Sequence, residues 1–277
     1  MRMLAALVLF ALACGMASAD FLIERVDVTI GDIQADGSAK VHESIKFVMY
    51  GNYSNSLYDS GIGNNELSFW STNVGLKDIK FHTNPAKVDI RDLRLRPQPR
   101  TKCNPIEGIC HGELILDYIA APARRDNTTL EPLPGTGLFT VDRYKPRTER
   151  YNINPDALAF TTTPEGNIIM DKNTYLTLVL PVESTLLDVN PRPADLSAAL
   201  PAHVANLSWT DSVLVKLTIS FEVEEDIDKE VSDFFSGIAH GASEALKGPQ
   251  GLALVALVVV ITGAYLYISM AKRRGEE

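Results

Sequence analysis

Five residues of the stretch DIQADGSAKVHE stand where a calcium-binding loop needs them: Asp32, Gln34, Asp36, Gly37 and Glu43. Oxygen-bearing side chains at alternate positions, a glycine for the sharp turn and a closing acid make up the EF-hand pattern, with Gln34 substituting at its third position. That loop works only when flanking helices aim its ligands inward. Here Val26, Val28 and Ile30 alternate before it, and Val41, Glu43, Ile45, Phe47 and Met49 alternate after it. Both flanks therefore read as strands, and Asp36-Gly37 reads as the turn of a long hairpin. The hairpin is the favoured reading, and a calcium site at Asp32, Gln34, Asp36 and Glu43 is its alternative.

The segment CNPIEGIC offers a second piece of chemistry. Cys103 and Cys110 enclose a loop containing Pro and Gly between two apparent strands. Two cysteines in an exported domain pair most simply as a disulfide, and closing so short a loop stabilises by about 2–3 kcal/mol in the chain-entropy model. The competing reading makes Cys103, Cys110 and His111, with Glu107, ligands for zinc. Adjacent Cys and His are awkward for a tetrahedral site, and no second cysteine pair follows. Beside this loop Arg91, Arg94, Arg96, Arg100 and Lys102 concentrate positive charge. They suit an acidic glycan, a lipid headgroup or an acidic partner. The competing and preferred reading is a solvated edge strand whose charges discourage aggregation.

A catalytic apparatus does not emerge. The chain contains no H-E-x-x-H, G-x-S-x-G or P-loop motif. Its five histidines lack ligand spacing, and the acids Glu222, Glu224 and Glu225 read as a solvated strand end. No cofactor is implied. Asn52, Asn127 and Asn206 open the sequons NYS, NTT and NLS, which mark candidate glycosylation sites on an exported domain.

The elements that must position these residues are β throughout. Short apolar runs recur at Leu67 to Trp70, Leu76 to Phe81, Val88 to Leu95, Glu113 to Ile119, Leu138 to Val141, Glu149 to Ile153, Asn167 to Met170, Tyr175 to Val182 and Val213 to Val223, with Gly, Pro and Asn between them. This spacing predicts an antiparallel β-sandwich, either one large domain or two small units at 20–121 and 135–227 joined by a linker at 122–134. Within that linker region begins Leu133-Pro134-Gly135-Thr136-Gly137, which resembles a cell-wall sorting signal. A sorting signal stands just before a terminal membrane span, and these residues lie far upstream of one, so they read as a Pro-Gly turn.

The two ends carry the address. Arg2, the apolar stretch Leu4 to Ala13 and the small residues Ala17-Ser18-Ala19 form a signal-peptide pattern over 1–19. Lipidation at Cys14 is disfavoured by Ala11, where lipoproteins usually have Leu. Leu252 to Ala271 is uncharged and long enough to cross a bilayer as a helix, and Lys272, Arg273 and Arg274 behind it should stay cytoplasmic. The segment 228–248 has helical apolar spacing with a small-residue stripe at Gly237, Gly241 and Ala245. It predicts an amphipathic juxtamembrane helix that either packs against another helix or rests as a stalk. The chain thus reads as single-pass type I, with its ectodomain outside the cell membrane and a short tail at 272–277. Setting aside Arg2 and the tail's three cations and two acids turns 26 basic and 35 acidic residues into 22 and 33, a net −11. So acidic an ectodomain excludes a general nucleic-acid binder.

Two stretches carry a resemblance. VDVTIGDIQADGSAKVHESIKF resembles the opening hairpin of an uncharacterised family of prokaryotic, often archaeal, membrane-anchored ectodomains. TYLTLVLPVESTLLDVNPRP with NLSWTDSVLVKLTISFEV is similar to the strand–Pro–strand and Trp–strand pattern of archaeal surface β-sandwiches. The resemblance implies a sandwich fold on a surface protein and transfers no catalytic residue. The expected role is non-enzymatic: recognition, adhesion, or service as an accessory subunit of an envelope complex, with a glycan or membrane-protein partner. The alternatives are an extracytoplasmic hydrolase acting on envelope glycans and a transport or secretion accessory subunit.

Overall fold

The opening hairpin forms as its alternation predicts. β1 (Asp20–Gly31) and β2 (Ala39–Tyr50) pair antiparallel along their length, with a bulge between Ile23 and Arg25. The turn is closed by Gly37, at φ 79°, whose N–H donates to Gln34 O, while Gln34 N–H donates to Ser38 O. A side chain at residue 37 would meet the Phe139 carbonyl, so the turn needs glycine for space as well as for φ. These features belong to a computed structural model that describes residues 19–76, 79–124, 133–145 and 147–224.

β3 (Val88–Pro97), β4 (Thr101–Asn104) and β5 (Ile109–Pro122) continue the sheet beyond β2, with β5 between β2 and β3, and β4 also pairing with β5. On the other side β10 (Thr174–Val179) pairs parallel to β1 and antiparallel to β12 (Asn206–Thr210). The large sheet is therefore mixed, which corrects the expectation of a purely antiparallel arrangement. It also takes strands from both sides of 122–134, so the halves 20–121 and 135–227 are not self-contained. The described residues form one compact unit. A second sheet runs β11 (Ser184–Asn190), β14 (Thr218–Glu224), β7 (Thr148–Ile153), β6 (Phe139–Lys145), all antiparallel. The short strands β8 (Thr161–Thr162), β9 (Ile168–Ile169) and β13 (Val213–Leu214) make a third, small sheet.

One hydrophobic cluster serves both larger sheets. Val28, Ile30, Val41, Ile45, Phe47, Leu114, Leu116 and Leu176 come from the first, and Phe139, Tyr151, Leu186, Ile219 and Phe221 from the second. Tyr151 stacks on Phe221, with ring centroids 4.9 Å apart. Alternation along each strand sends one set of side chains to this core and the other to solvent. On β2 that places Val41, Glu43, Ile45, Phe47 and Met49 inside, and Lys40 and His42 outside.

Two apolar runs read as strands are otherwise. Leu67–Phe69 is helical and continues as a π-helical turn, Trp70–Val74. It follows a helix at Gly51–Gly61 that the sequence reading did not anticipate. Burial explains both. Tyr58 from the helix and Trp70 from the turn lie fully buried 5.3 Å apart, and Tyr58 stands 5.6 Å from Phe47. A helix reaches the core with a few side chains per turn, which a short window of apolar residues does not distinguish from a strand. Leu76 and Ile79 to Phe81 likewise form no strand.

Candidate functional site

The proposed calcium ligands do not converge. Asp32 accepts from Lys40 Nζ at 2.6 Å, Gln34 Nε2 donates to the Asp32 carbonyl, and Asp36 Oδ1 accepts from Ser38 N (3.0 Å) and Oγ (2.6 Å). Burial works against the Asp36 charge, but the Ser38 hydrogen bonds outweigh it and hold the carboxyl below its usual range. Glu43 is on the far side of the sheet. Residue 43 shares the inward phase of β2 with Val41 and Ile45, so it cannot turn back to the loop. Among the described residues, no three His, Cys, Asp or Glu side chains gather as a metal site.

Cys103 and Cys110 are disulfide-bonded, joining β4 to β5. The remaining zinc candidates are engaged elsewhere: His111 Nδ1 is 3.0 Å from Glu24 Oε2, and Glu107 Oε2 accepts from Asn104 Nδ2 at 2.9 Å. The bridged loop docks on the helix that follows β2, where the Gly108 carbonyl accepts from Gly51 N (3.0 Å) and Asn55 Nδ2 (2.9 Å). The basic residues beside it are mostly neutralised. Arg91 pairs with Asp89, Arg96 with Asp117 and Arg100 with Asp59. Arg94 has no ion-pair partner among the described residues. Lys102, at φ 47°, is exposed on β4. Three of the five cations are therefore each matched by an acid.

Asn52 lies exposed in the helix Gly51–Gly61 and Asn206 exposed at the start of β12, rather than in loops. Leu133 to Gly137 is a turn, with Thr136 N and Oγ1 donating to the Leu133 carbonyl and both glycines at positive φ. Glu222 is held by Arg150 at 2.6 Å. The signal segment 1–18, Asn127, Glu225, the stripe Gly237, Gly241 and Ala245, and the span Leu252 to Ala271 lie outside the described residues. Among the described residues no helix is long and apolar enough to cross a membrane.

What the large sheet does assemble is a pair of histidine–carboxylate contacts on opposite faces. On the outer face the register sets Thr29 opposite His42, His42 opposite Asp117 and Asp117 opposite Arg94. His42 Nδ1 is 2.7 Å from Asp117 Oδ1, and Arg96 donates to Asp117 Oδ2. Burial works against ionisation of Asp117, but the hydrogen bonds from His42 and Arg96 outweigh it and keep the carboxyl below its usual range. Thr29, Lys40, His42, Asp92, Arg94 and Asp117 line a shallow depression of about 520 Å³, with Ile119 and Val179 as its apolar patches.

On the inner face Glu43 is fully buried. Its Oε1 accepts from the His82 backbone N–H at 3.0 Å and from the Tyr118 hydroxyl at 2.5 Å, and its Oε2 lies 2.8 Å from His82 Nδ1. Thr83 Oγ1 is 2.9 Å from the same hydroxyl. Burial, and then the charge and hydrogen bond of Glu43, push the Tyr118 phenol well above its usual value. Three groups thus satisfy a carboxylate that would otherwise be prohibitive in this core, and Thr83 holds the hydroxyl of one of them. The signal for it was in the sequence: an acid in the apolar phase of V-H-E-S-I-K-F must find partners inside. His82, Thr83, Tyr118, His42 and Asp117 carried no such signal: strand register sets His42 beside Asp117, and the connection leading into β3 brings His82 and Thr83 to Glu43 and Tyr118 across long separations.

Comparison with known proteins adds little to this geometry. No family model matches the chain, and no curated protein matches it. Among solved structures it is similar to native leukotriene A4 hydrolase from Saccharomyces cerevisiae, at 9% identity over 74% of this chain and 29% of that one, with a TM-score of 0.28. The chain spans under a third of that protein's length, and a likeness this slight carries no argument about function.

Proposed function

We propose that the protein is a non-enzymatic recognition ectodomain of a single-pass membrane protein, a β-sandwich that binds an acidic glycan on the exposed face of its large sheet. The observation that carries this reading is the cross-strand row Thr29, His42, Asp117, Arg94 along the depression on that face. Asp117 fixes His42 and Arg96 by hydrogen bonds, and Arg94 keeps its guanidinium for a ligand carboxylate or sulfate, which it suits by its bidentate fork. Lys40, held by Asp32, and the threonine hydroxyl supply further donors for sugar oxygens. A carboxylate held ionised is a poor general acid, so Asp117 does not supply the acid that glycoside hydrolysis requires.

The address rests on sequence: the signal pattern of 1–19, the span at 252–271 followed by KRR, and the resemblance to archaeal-type surface ectodomains. The disulfide fits an oxidising exterior. The test is a glycan array probed with the detergent-solubilised full chain. Acidic glycans should be retained at low salt and released as salt rises, and Arg94→Ala should weaken binding about tenfold. Retention of neutral glycans alone, or an Arg94→Ala protein that binds as before, would refute the reading. For topology, a cysteine placed by Glu277→Cys should resist an impermeant reagent in intact cells, and labelling would reverse the orientation.

A further inference from the structure

The buried pair on the inner face opens onto a second cavity, one that the glycan reading does not use. It measures about 460 Å³, within the range of small-ligand pockets. Its walls are Ile23 and Val26 of β1, Ile45 of β2 and Thr174 at the start of β10. Lys80, Asp171 and Lys172 complete the lining as its exposed charges, and His82 closes it on the core side. Lys80 and Asp171 answer one another at 3.4 Å, which leaves Lys172 with no ion pair among the described residues.

His82 makes this more than a gap. Its ring is buried, yet only one edge is committed: Nδ1 belongs to Glu43, and Phe160 lies against the ring at 5.4 Å between centroids. Nε2 has no hydrogen bond among the described residues, and it is not one of their sealed, unpaired polar atoms, so it opens to the cavity that His82 lines. Glu43, itself pinned by Tyr118 and by the His82 backbone N–H, fixes the ring so that Nε2 stays turned to the cavity. An oriented imidazole edge and an uncommitted ammonium thus border the same space as three aliphatic side chains.

From this juxtaposition we infer that the cavity binds a small aliphatic carboxylic acid, its chain against Ile23, Val26 and Ile45 and its carboxyl group at His82 Nε2 and Lys172. The polarity decides the class. Lys80 and Asp171 cancel, so Lys172 leaves the mouth cationic, and an aliphatic wall without an aromatic platform suits an alkyl chain better than a sugar ring. Proton accounting follows from the geometry. With Nδ1–H given to Glu43, Nε2 of a neutral ring only accepts, so the carboxyl group must share one proton with it. That proton comes with the acid or is taken up from solvent. The charged and titratable groups around this proton are Glu43 on β2, Tyr118 on β5, and Lys80, Asp171 and Lys172 at the mouth.

The experiment is isothermal titration of the detergent-solubilised full chain with hexanoate at about pH 8, in two buffers of different ionisation enthalpy. Hexanoate should bind with uptake of one proton, seen as a buffer-dependent heat, and hexylamine should not bind. Lys172→Gln, at an exposed position that leaves the fold alone, should weaken hexanoate about tenfold. Ile23→Trp, which fills the cavity from its partly exposed wall, should abolish binding. His82→Asn should lose the proton uptake. Should that variant not fold, the lysine and tryptophan substitutions still decide the matter. The inference fails if hexanoate gives no saturable heat, if hexylamine binds equally, if binding survives Ile23→Trp, or if no proton is taken up. Failure here leaves the glycan array result untouched, because the two sites lie on opposite faces of the sheet.

Discussion

His42 with Asp117 and His82 with Glu43 are the same chemical pair in nearly the same geometry, at 2.7 and 2.8 Å, on the two faces of one sheet. They differ in solvent. The outer side chains are 48% and 35% exposed, the inner ones 5% and 0%. Water and salt screen the outer pair, and either partner, left alone, is simply rehydrated. Neither compensation reaches the inner pair. Adjacent positions on β2 thus hold a surface contact free to exchange for a ligand and a core contact that fixes one ring. The contrast is the ground on which the outer face is proposed for recognition of a charged polymer and the inner one for a small molecule held at a defined edge.

The sharpest way to break this comparison is to delete one histidine at a time. His82→Ala strands a buried carboxylate and should destabilise the protein by about 3–5 kcal/mol, whereas His42→Ala should cost less than about 1 kcal/mol. Urea denaturation in detergent, followed through the buried Trp70 and Trp209, reads both. Equal losses would mean that burial does not separate the two pairs.

A second measurement works through Tyr118. Its phenol is raised in the folded protein, so folded chains keep a proton that unfolded chains lose above about pH 10. The folded state then binds more protons, and stability must fall as pH rises past that point, by about 1.4 kcal/mol per pH unit for each such group. Tyr58, pushed up to about 12 by burial despite hydrogen bonds to the Gln98 and Glu113 carbonyls, contributes its own share. Tyr118→Phe should remove one proton's worth of this alkaline slope and leave that of Tyr58. An unchanged slope would mean that the Tyr118 phenol is not buried in solution as it is in the structure.

The strands that carry His42, Glu43 and Asp117 were legible, since β1, β2, β3 and β5 follow directly from alternation of apolar residues. So was the disulfide, which needs only two cysteines flanking a turn. The parallel partnership of β1 with β10 was not, because pairing across so many residues leaves no local trace. The same holds for Glu43: its phase on β2 marked it as inward, but nothing in the segment FHTN announces that His82 will meet it. Leu67 to Trp70 was misread because a short apolar run fits a strand or a helical turn equally well, and the buried Tyr58–Trp70 contact decided for the helix. Sites built from register and long connections escape a reading that works along the chain.

The smallest effect sharpens the outer half of the comparison. Asp117 sits below its usual range when folded, so its contribution is complete above the unfolded value of about pH 4 and is lost as pH falls through the lower folded one. Asp117→Asn should therefore flatten the acid limb of the stability profile by removing this small contribution at neutral pH, while stability below the folded value stays almost unchanged. Because the side chain is more than a third exposed, solvent reduces the effect, and about 1 M salt should erase most of it. The same salt should leave the loss caused by His82→Ala intact, since counterions do not enter the core. A salt-insensitive acid limb in wild type would place Asp117 in a drier setting than its exposure describes, and would bring the two pairs closer in kind.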